Sequence, residues 1–409
     1  ITLGNTAITK FRVPGLNFSI KDSTATDNYV LTVDANGDAG WEAAASGVSS
    51  DAQYNTVGGT DAGSSFSGTS ASSNTLFGWK AGEAITTGDQ NIAIGSQALK
   101  TITTESENVA IGGSALKMNT GGYSNVAVGY LAGQKNTTGR EHVAIGWSAL
   151  QENTTGLYNV AIGAYALDAN TTASGNTAVG ISALSSNTTG AGNSALGKYA
   201  GLKTTTGSNN VFIGTEAGKE VTTALENNLI GNGAGAALTT GNTNDAIGAY
   251  ALDAATTGYS NQALGRHALG GLTTGYFNVG IGYEAAKNIT TGYKNVCIGQ
   301  YAGYDLTTGL HNTCIGDYAG ANLSSGSNDN TCIGQNAGFS LNGSNNILIG
   351  HDATESTHNI SNEVTIGDAN ITKFRIPGLN FSIKDSTATD NYVLTVDANG
   401  EAGWEAAGG

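Results

Sequence analysis

From Asn74 to Glu363 a polar residue followed by a short apolar run recurs with a period of seventeen. The opening positions are Asn74, Asn91, Asn108, Asn125, His142, Asn159, Asn176, Asn193, Asn210, Asn227, Asn244, Asn261, Asn278, Asn295, Asn312, Asn330, Asn346 and Glu363. Their span, 363 − 74 = 289, is 17 × 17, with one long step (Asn312 to Asn330) cancelled by the short step after it. A fixed period of this size predicts stacked rungs, each too small to bury its own apolar face. In the rung that opens at Asn108, Val109 and Ile111 face one way along a strand and Ala110 the other. An ordinary half-exposed strand carries polar residues on one face. Here both faces are apolar, so one fills the rung and the other must be covered by something else.

The remainder of the rung is equally regular. Gly ends each strand (Gly78, Gly95, Gly112, through Gly367), which suits a corner that needs positive φ or tolerates no Cβ. Ala stands three residues later (Ala81, Ala98, Ala115, onward to Ala353), and only Asn370 in the last repeat departs from this. A methyl-sized residue held at one position implies close approach of two backbones. The next residue alternates between Leu and Gly, as in Leu99, Leu116, Gly133 and Leu150. T-T-G segments such as 137–139 and 273–275 supply turns, and the recurrent Asn at the strand start predicts an amide ladder along the axis. The pattern predicts an all-β fold: a β-solenoid or β-roll of 17-residue rungs, each with two short strands and two turns, about 80 Å long at ~4.8 Å per rung.

Residues 1–44 repeat as 364–407 at a constant offset of 363, with 37 of 44 positions identical. The expected organisation is a small β knob or linker at 1–48, a transition segment at 49–73, the solenoid at 74–367 and a second knob at 368–409. Within the second copy Leu379, Phe381 and Ile383 predict one strand and Tyr392, Leu394 and Val396 another, with a turn at 397–400 before Trp404. Pro14 and Pro377, each before Gly, mark the joint. The expectation is that 363 residues form one super-repeat of a longer head-to-tail fibre.

Composition narrows the function. Glycine is abundant (61) and proline scarce (2), without a collagen register. The net charge is −15 and no basic run is present, which disfavours nucleic acid. No stretch of about 20 apolar residues predicts a membrane span, and no signal-peptide pattern opens the chain at Ile1. Cys297, Cys314 and Cys332 fall at one rung position with spacings unlike metal ligands, and read as small buried residues in place of Ala.

Candidate chemistry is sparse. His142, His267, His311, His351 and His358 share no metal spacing, and no nucleophile has a placed base, so no catalytic, cofactor-binding or metal-ligating residue is assigned and no cofactor is expected. The D-A-N-G-[DE] segments at 34–38 and 397–401 share the start of a calcium loop but lack its remainder; an N-G hairpin turn explains them with less. Asn136, Asn153, Asn170 and Asn187 head glycosylation sequons within the turns. Tyr123, Tyr158, Tyr259, Tyr276 and Tyr293, read as one rung position, offer a sugar-stacking ladder or simple packing between rungs. Rows of Thr invite an ice-binding reading, weakened by their location in turns.

The N-x-A-I-G-x-x-A-L-x-x-N-T-T-G run, as in 125–139 and 159–173, resembles the repeats of phage tail-fibre-like proteins. It is similar in style to the head domains of trimeric autotransporter adhesins, over about residues 74–367. The flank V-L-T-V-D-A-N-G-x-A-G-W looks like segments of structural proteins of marine bacteriophages. The resemblance implies a homotrimeric β-roll or β-prism shaft, and often a cleavable C-terminal chaperone, which would have been removed or lie beyond Gly409. The expected function is a non-enzymatic structural fibre on a virion surface, holding a receptor-binding tip at a distance. Its partners would be copies of itself and a cell-surface glycan receptor. The alternatives are a bacterial surface adhesin or a self-assembling extracellular filament.

Overall fold

A computed structural model describes residues 29–33, 39–43, 49–67, 70–357, 359–373, 392–396 and 402–406. Among these residues there is no helix. Nineteen three-residue strands, from Thr56–Gly58 to Val364–Ile366, pair in parallel with their sequence neighbours. The pairing is in register: Val109, Ala110 and Ile111 lie opposite Val126, Ala127 and Val128. At the N-terminal edge Ser49–Ser50 pairs antiparallel with Thr56–Gly58. No described pairing joins the last strand back to the first, so the sheet is an open ladder, a β-solenoid.

The ladder begins one rung before the seventeen-residue series, with Asn55 bonded to Asn74 across a step of nineteen. Each rung holds one strand, where two were expected. The reason is local. In the rung opening at Asn108, φ is positive at Gly112 (132°), Ser114 (59°), Leu116 (48°) and Ser124 (54°), so the remaining residues turn repeatedly and never extend. These turns turn successive peptide groups in opposite senses along the axis. Leu116, Met118 and Thr120 donate their N–H groups to the next rung's Ala132, Gln134 and Thr137 carbonyls at 2.9–3.0 Å. Gly112, Ser114 and Ser124 donate to the preceding rung. Hydrogen bonding between rungs therefore runs round the circumference, which offsets a cost on the order of 1 kcal/mol for each non-glycine residue at positive φ.

The alternation along the strand resolves as a buried middle residue between two outward ones: Ala110 is fully buried and Ile111 is 37% exposed. The interior is narrow and filled by complementary volumes. In the rungs whose middle strand residue is Leu76, Phe212 or Leu229, the residue after the fixed Ala is Gly (Gly82, Gly218, Gly235), whereas near the C-terminal end Leu348 is matched by Thr354 after Ala353. A Cβ on Gly218 would lie 2.4 Å from the Phe212 ring, and one on Gly235 2.7 Å from Leu229. Where the middle residue is Ala, Leu follows, as in Ala110 with Leu116 and Ala161 with Leu167. Gly133 and Gly201 depart from the pairing because side chains of adjacent rungs, Leu116 and Phe212, occupy their space. The strand-ending glycines stack so closely that a Cβ on Gly112 would stand 2.4 Å from the Gly129 carbonyl oxygen.

Contacts divide the chain into Ile1–Ile366 and Gly367–Gly409. The two flanking copies form the same antiparallel hairpin: Tyr29–Val33 with Ala39–Ala43, and Tyr392–Val396 with Ala402–Ala406. In the backbone register Leu31 pairs with Trp41 in the first and Leu394 with Trp404 in the second. The strand expected at 379–383 and both proline joints lie outside the described residues.

The volume rule predicts a double-mutant outcome. Ala110→Leu should overpack the rung by about 1–3 kcal/mol, and Leu116→Gly should leave a cavity costing about 2–5 kcal/mol. The pair recreates the Leu229–Gly235 arrangement, so denaturant unfolding should find the double variant more stable than the sum of the singles by more than about 1 kcal/mol. Strict additivity would contradict the rule.

Candidate functional site

Two amide columns run through the interior. In the first, each strand-opening Asn accepts at Oδ1 the backbone N–H of the next opening residue. Asn210, for example, donates both its backbone N–H (3.0 Å) and Nδ2 (3.1 Å) to Asn193 Oδ1. Its Nδ2 also reaches the Ala224 carbonyl of its own rung at 2.8 Å. The Asp51 carboxylate starts the column by accepting from Asn55 N–H and Nδ2, and these bonds, the side-chain one foremost, hold its pKa down. Glu363 ends it, donating its N–H to Asn346 Oδ1 while its carboxylate accepts from Ser356 and Thr365. The irregular rungs keep the column intact: Asn330 N–H still reaches Asn312 Oδ1 across eighteen residues and Asn346 N–H reaches Asn330 Oδ1 across sixteen.

The second column lies in the N-T-T-G segments, where turns and glycosylation sequons are expected. Asn119, Asn136, Asn153, Asn170 and Asn187 are fully buried and bonded Nδ2 to Oδ1 at 2.8–3.0 Å. This overturns the glycosylation reading of Asn136, Asn153, Asn170 and Asn187, since a fully buried amide whose Nδ2 is already bonded to the preceding Asn has no room for a glycan. The signal was the same seventeen-residue spacing at a second Asn position.

His142 interrupts the first column. Its backbone N–H donates to Asn125 Oδ1 and its Nδ1 accepts the Asn159 backbone N–H, both at 3.1 Å. That acceptor role places the ring proton on Nε2, beside the Gly156 carbonyl and Asn153. Burial pushes the His142 pKa down to about 4. Asp168, in the rung that opens at Asn159, has an Oδ1 with no hydrogen-bond partner, and burial pushes its pKa up to about 6.

Cys297, Cys314 and Cys332 occupy the buried middle strand position, unpaired to disulfide. Gly303, Gly320 and Gly338 make room for their sulfurs. The Cys297 thiol and burial push the Cys314 pKa up, and Cys314 and burial do the same for Cys332. Such thiols stay protonated and enclosed, as expected of residues standing in for Ala. Among the described residues no group of three His, Cys, Asp or Glu is placed to hold a metal ion. The D-A-N-G segments and His358 lie outside the described residues.

Outside, one column dominates. In all eighteen strands from Thr75–Phe77 to Val364–Ile366 the third residue is Phe, Ile, Val or Leu, although it faces outward. Ile145 is 38% exposed and Leu196 52%. The first strand residue is more varied, with a polar stretch at Asn228, Asp245 and Gln262.

The aromatic ladder divides. Tyr259, Tyr276 and Tyr293 stack within 4° of parallel at 4.7–5.0 Å, so their faces cover one another and their edges face solvent. Tyr158 does not share their position: it stands sixteen residues after His142 (158 − 142), whereas Tyr123 stands fifteen after Asn108 (123 − 108). The Arg140 guanidinium lies over Tyr123. A second aromatic group at Tyr301, Tyr304, Tyr318 and Phe339, missed in the sequence, is splayed and lines a hollow. In the first Thr column, hydroxyls such as Thr137 and Thr154 donate to the next rung's carbonyl (2.9–3.0 Å), serving the fold.

No family profile, curated protein or solved structure matches the chain. Among the described residues no helix is long and apolar enough to cross a membrane.

The buried imidazole sets a pH response. An unfolded histidine titrates near 6.5, so between pH 6.5 and about 4 the unfolded chain binds the extra proton. His142 should therefore cost stability as pH falls through that window, by on the order of 3 kcal/mol. Asp168 acts oppositely, gaining a proton on folding between about pH 6 and 3.8. Comparing wild type with His142→Asn isolates the histidine: the variant should lose less stability than wild type between pH 6.5 and 4, and equal losses would refute its neutral burial.

Proposed function

We propose that the chain is a non-enzymatic fibre shaft that assembles with copies of itself along the outward Ile/Val/Leu column. The observation that carries this reading is the constancy of that column: an outward position stays apolar through eighteen strands. Contiguous apolar surface on this scale seeks a partner. Covering the exposed part of each column residue gains on the order of 1 kcal/mol per rung. Over the whole shaft this exceeds the ~4–15 kcal/mol cost of association. Identical rungs at a constant rise let one copy match another along the full length, and threefold symmetry follows from the resemblance to trimeric fibre repeats.

Such a shaft acts mechanically. Its setting is extracellular, on a virion as a tail or other surface fibre, where it would hold a receptor-binding tip away from the particle. The matching hairpins at both flanks support shafts arranged head to tail in a longer polypeptide.

Light scattering and negative-stain microscopy test assembly together. The expected species has about three times the 41.1 kDa chain mass, with a shaft of about 80–90 Å. Ile145→Lys with Ile213→Lys should shift it to monomer while the β spectrum persists. A wild-type chain that stays monomeric at micromolar concentration would defeat the proposal.

A further inference from the structure

Toward the C-terminal end of the solenoid the outward aromatics change geometry. Tyr301 meets Tyr304 at 74° and 5.5 Å, and Tyr318 at 30° and 4.9 Å; Tyr318 meets Phe339 at 52° and 6.1 Å. Tyr304 stands edge-on to Tyr301 and Phe339 is tilted away from Tyr318, while Tyr301 and Tyr318 still largely overlap, so the group departs from the parallel Tyr259–Tyr276–Tyr293 stack. These four rings wall a hollow of about 220 Å³ with Asp305 and Asn322 at its rim. Phe339 also borders a second hollow of about 270 Å³, lined by Asn336, Asp352 and Thr354. The two hollows follow successive rungs along the shaft.

Each hollow pairs an aromatic wall with a carboxylate oriented by a neighbouring amide. Asn288 Nδ2 donates to Asp305 Oδ1 at 2.9 Å, and Asn336 Nδ2 to Asp352 Oδ1 at 2.8 Å. Each carboxylate retains lone pairs for hydroxyl donors. An aromatic surface with a few fixed acceptors suits a ligand with C–H faces and equatorial hydroxyls, which is a pyranose. Either hollow is smaller than the 300–1,000 Å³ of sites for drug-sized molecules, so each holds a single ring. The carboxylates, on a chain of net charge −15, repel acidic sugars.

We propose that these hollows are adjacent subsites for a neutral oligosaccharide of at least two hexose units lying along the shaft. This places a recognition site on the shaft itself, besides any distal tip, and it holds whichever particle or cell carries the fibre.

Saturation-transfer NMR and calorimetry on the whole chain test it, with cellobiose, lactose and N,N′-diacetylchitobiose, the parent monosaccharides, N-acetylneuraminic acid and phenol as probes. At least one neutral disaccharide should bind at millimolar or better affinity, about tenfold or more tighter than its monosaccharide. Tyr304→Ala should weaken binding about tenfold or more, and Phe339→Ala should abolish the advantage of the disaccharide. Thermal melting confirms that each variant is folded; should Phe339→Ala fail to fold, Tyr304→Ala and Asp305→Asn decide alone. No neutral sugar bound at about 10 mM, binding of phenol or the acidic sugar only, or binding unchanged in Tyr304→Ala would each overturn the proposal.

Discussion

The structure depends on a buried line of amides. Each strand-opening Asn is fully enclosed, and enclosed amides are tolerable only when their donors and acceptors are satisfied. Here the partner is supplied by the next copy of the same residue, so one rung is acceptable only if another follows in register. That requirement propagates from Asp51 to Glu363, the two carboxylates that close the line. The irregular steps make the hierarchy plain. Rungs of nineteen, eighteen and sixteen residues absorb their irregularity elsewhere in the coil, and the amide bonds keep ordinary length.

Once the rungs are held a few ångströms apart, the remaining features follow. Little interior remains, so the middle strand residue and the residue after the fixed Ala must share one volume, which explains the exchange of Ala–Leu for Phe–Gly or Leu–Gly. Corners that stack on corners admit only Gly, because a Cβ would strike the next backbone. A coil this thin also cannot hide every apolar side chain. The third residue of each strand is left outside, and that unburied column is the physical basis for proposing self-assembly.

Much of this was legible from the chain. The period, the strand triplet, the corner Gly, the methyl-sized Ala and the Asn ladder are all residue-type constraints that recur in nearly every rung, and repetition makes them visible. Features set by backbone conformation were not. Leu116 and Ser114 at positive φ look like ordinary residues in a sequence, yet they remove the second strand from each rung. The buried Asn136–Asn187 column was hidden by a plausible local explanation, since N-T-T-G also reads as a turn. The hollows beside Phe339 depend on ring orientations, which no spacing encodes.

The most direct test of the amide line is the stability of Asn193→Leu, which keeps the side chain's approximate volume and removes its hydrogen bonding. The substitution strands the Asn210 N–H and the Gly207 carbonyl, bonded to Asn193 at 3.0 and 2.8 Å, and leaves Asn210 Nδ2 with only its backbone acceptors, Ala224 foremost. Denaturant unfolding should find a loss of about 3 kcal/mol or more, because several buried polar groups lose their partner together. A variant within about 0.5 kcal/mol of wild type would show that apolar packing alone holds the rungs, and that the amides merely occupy space.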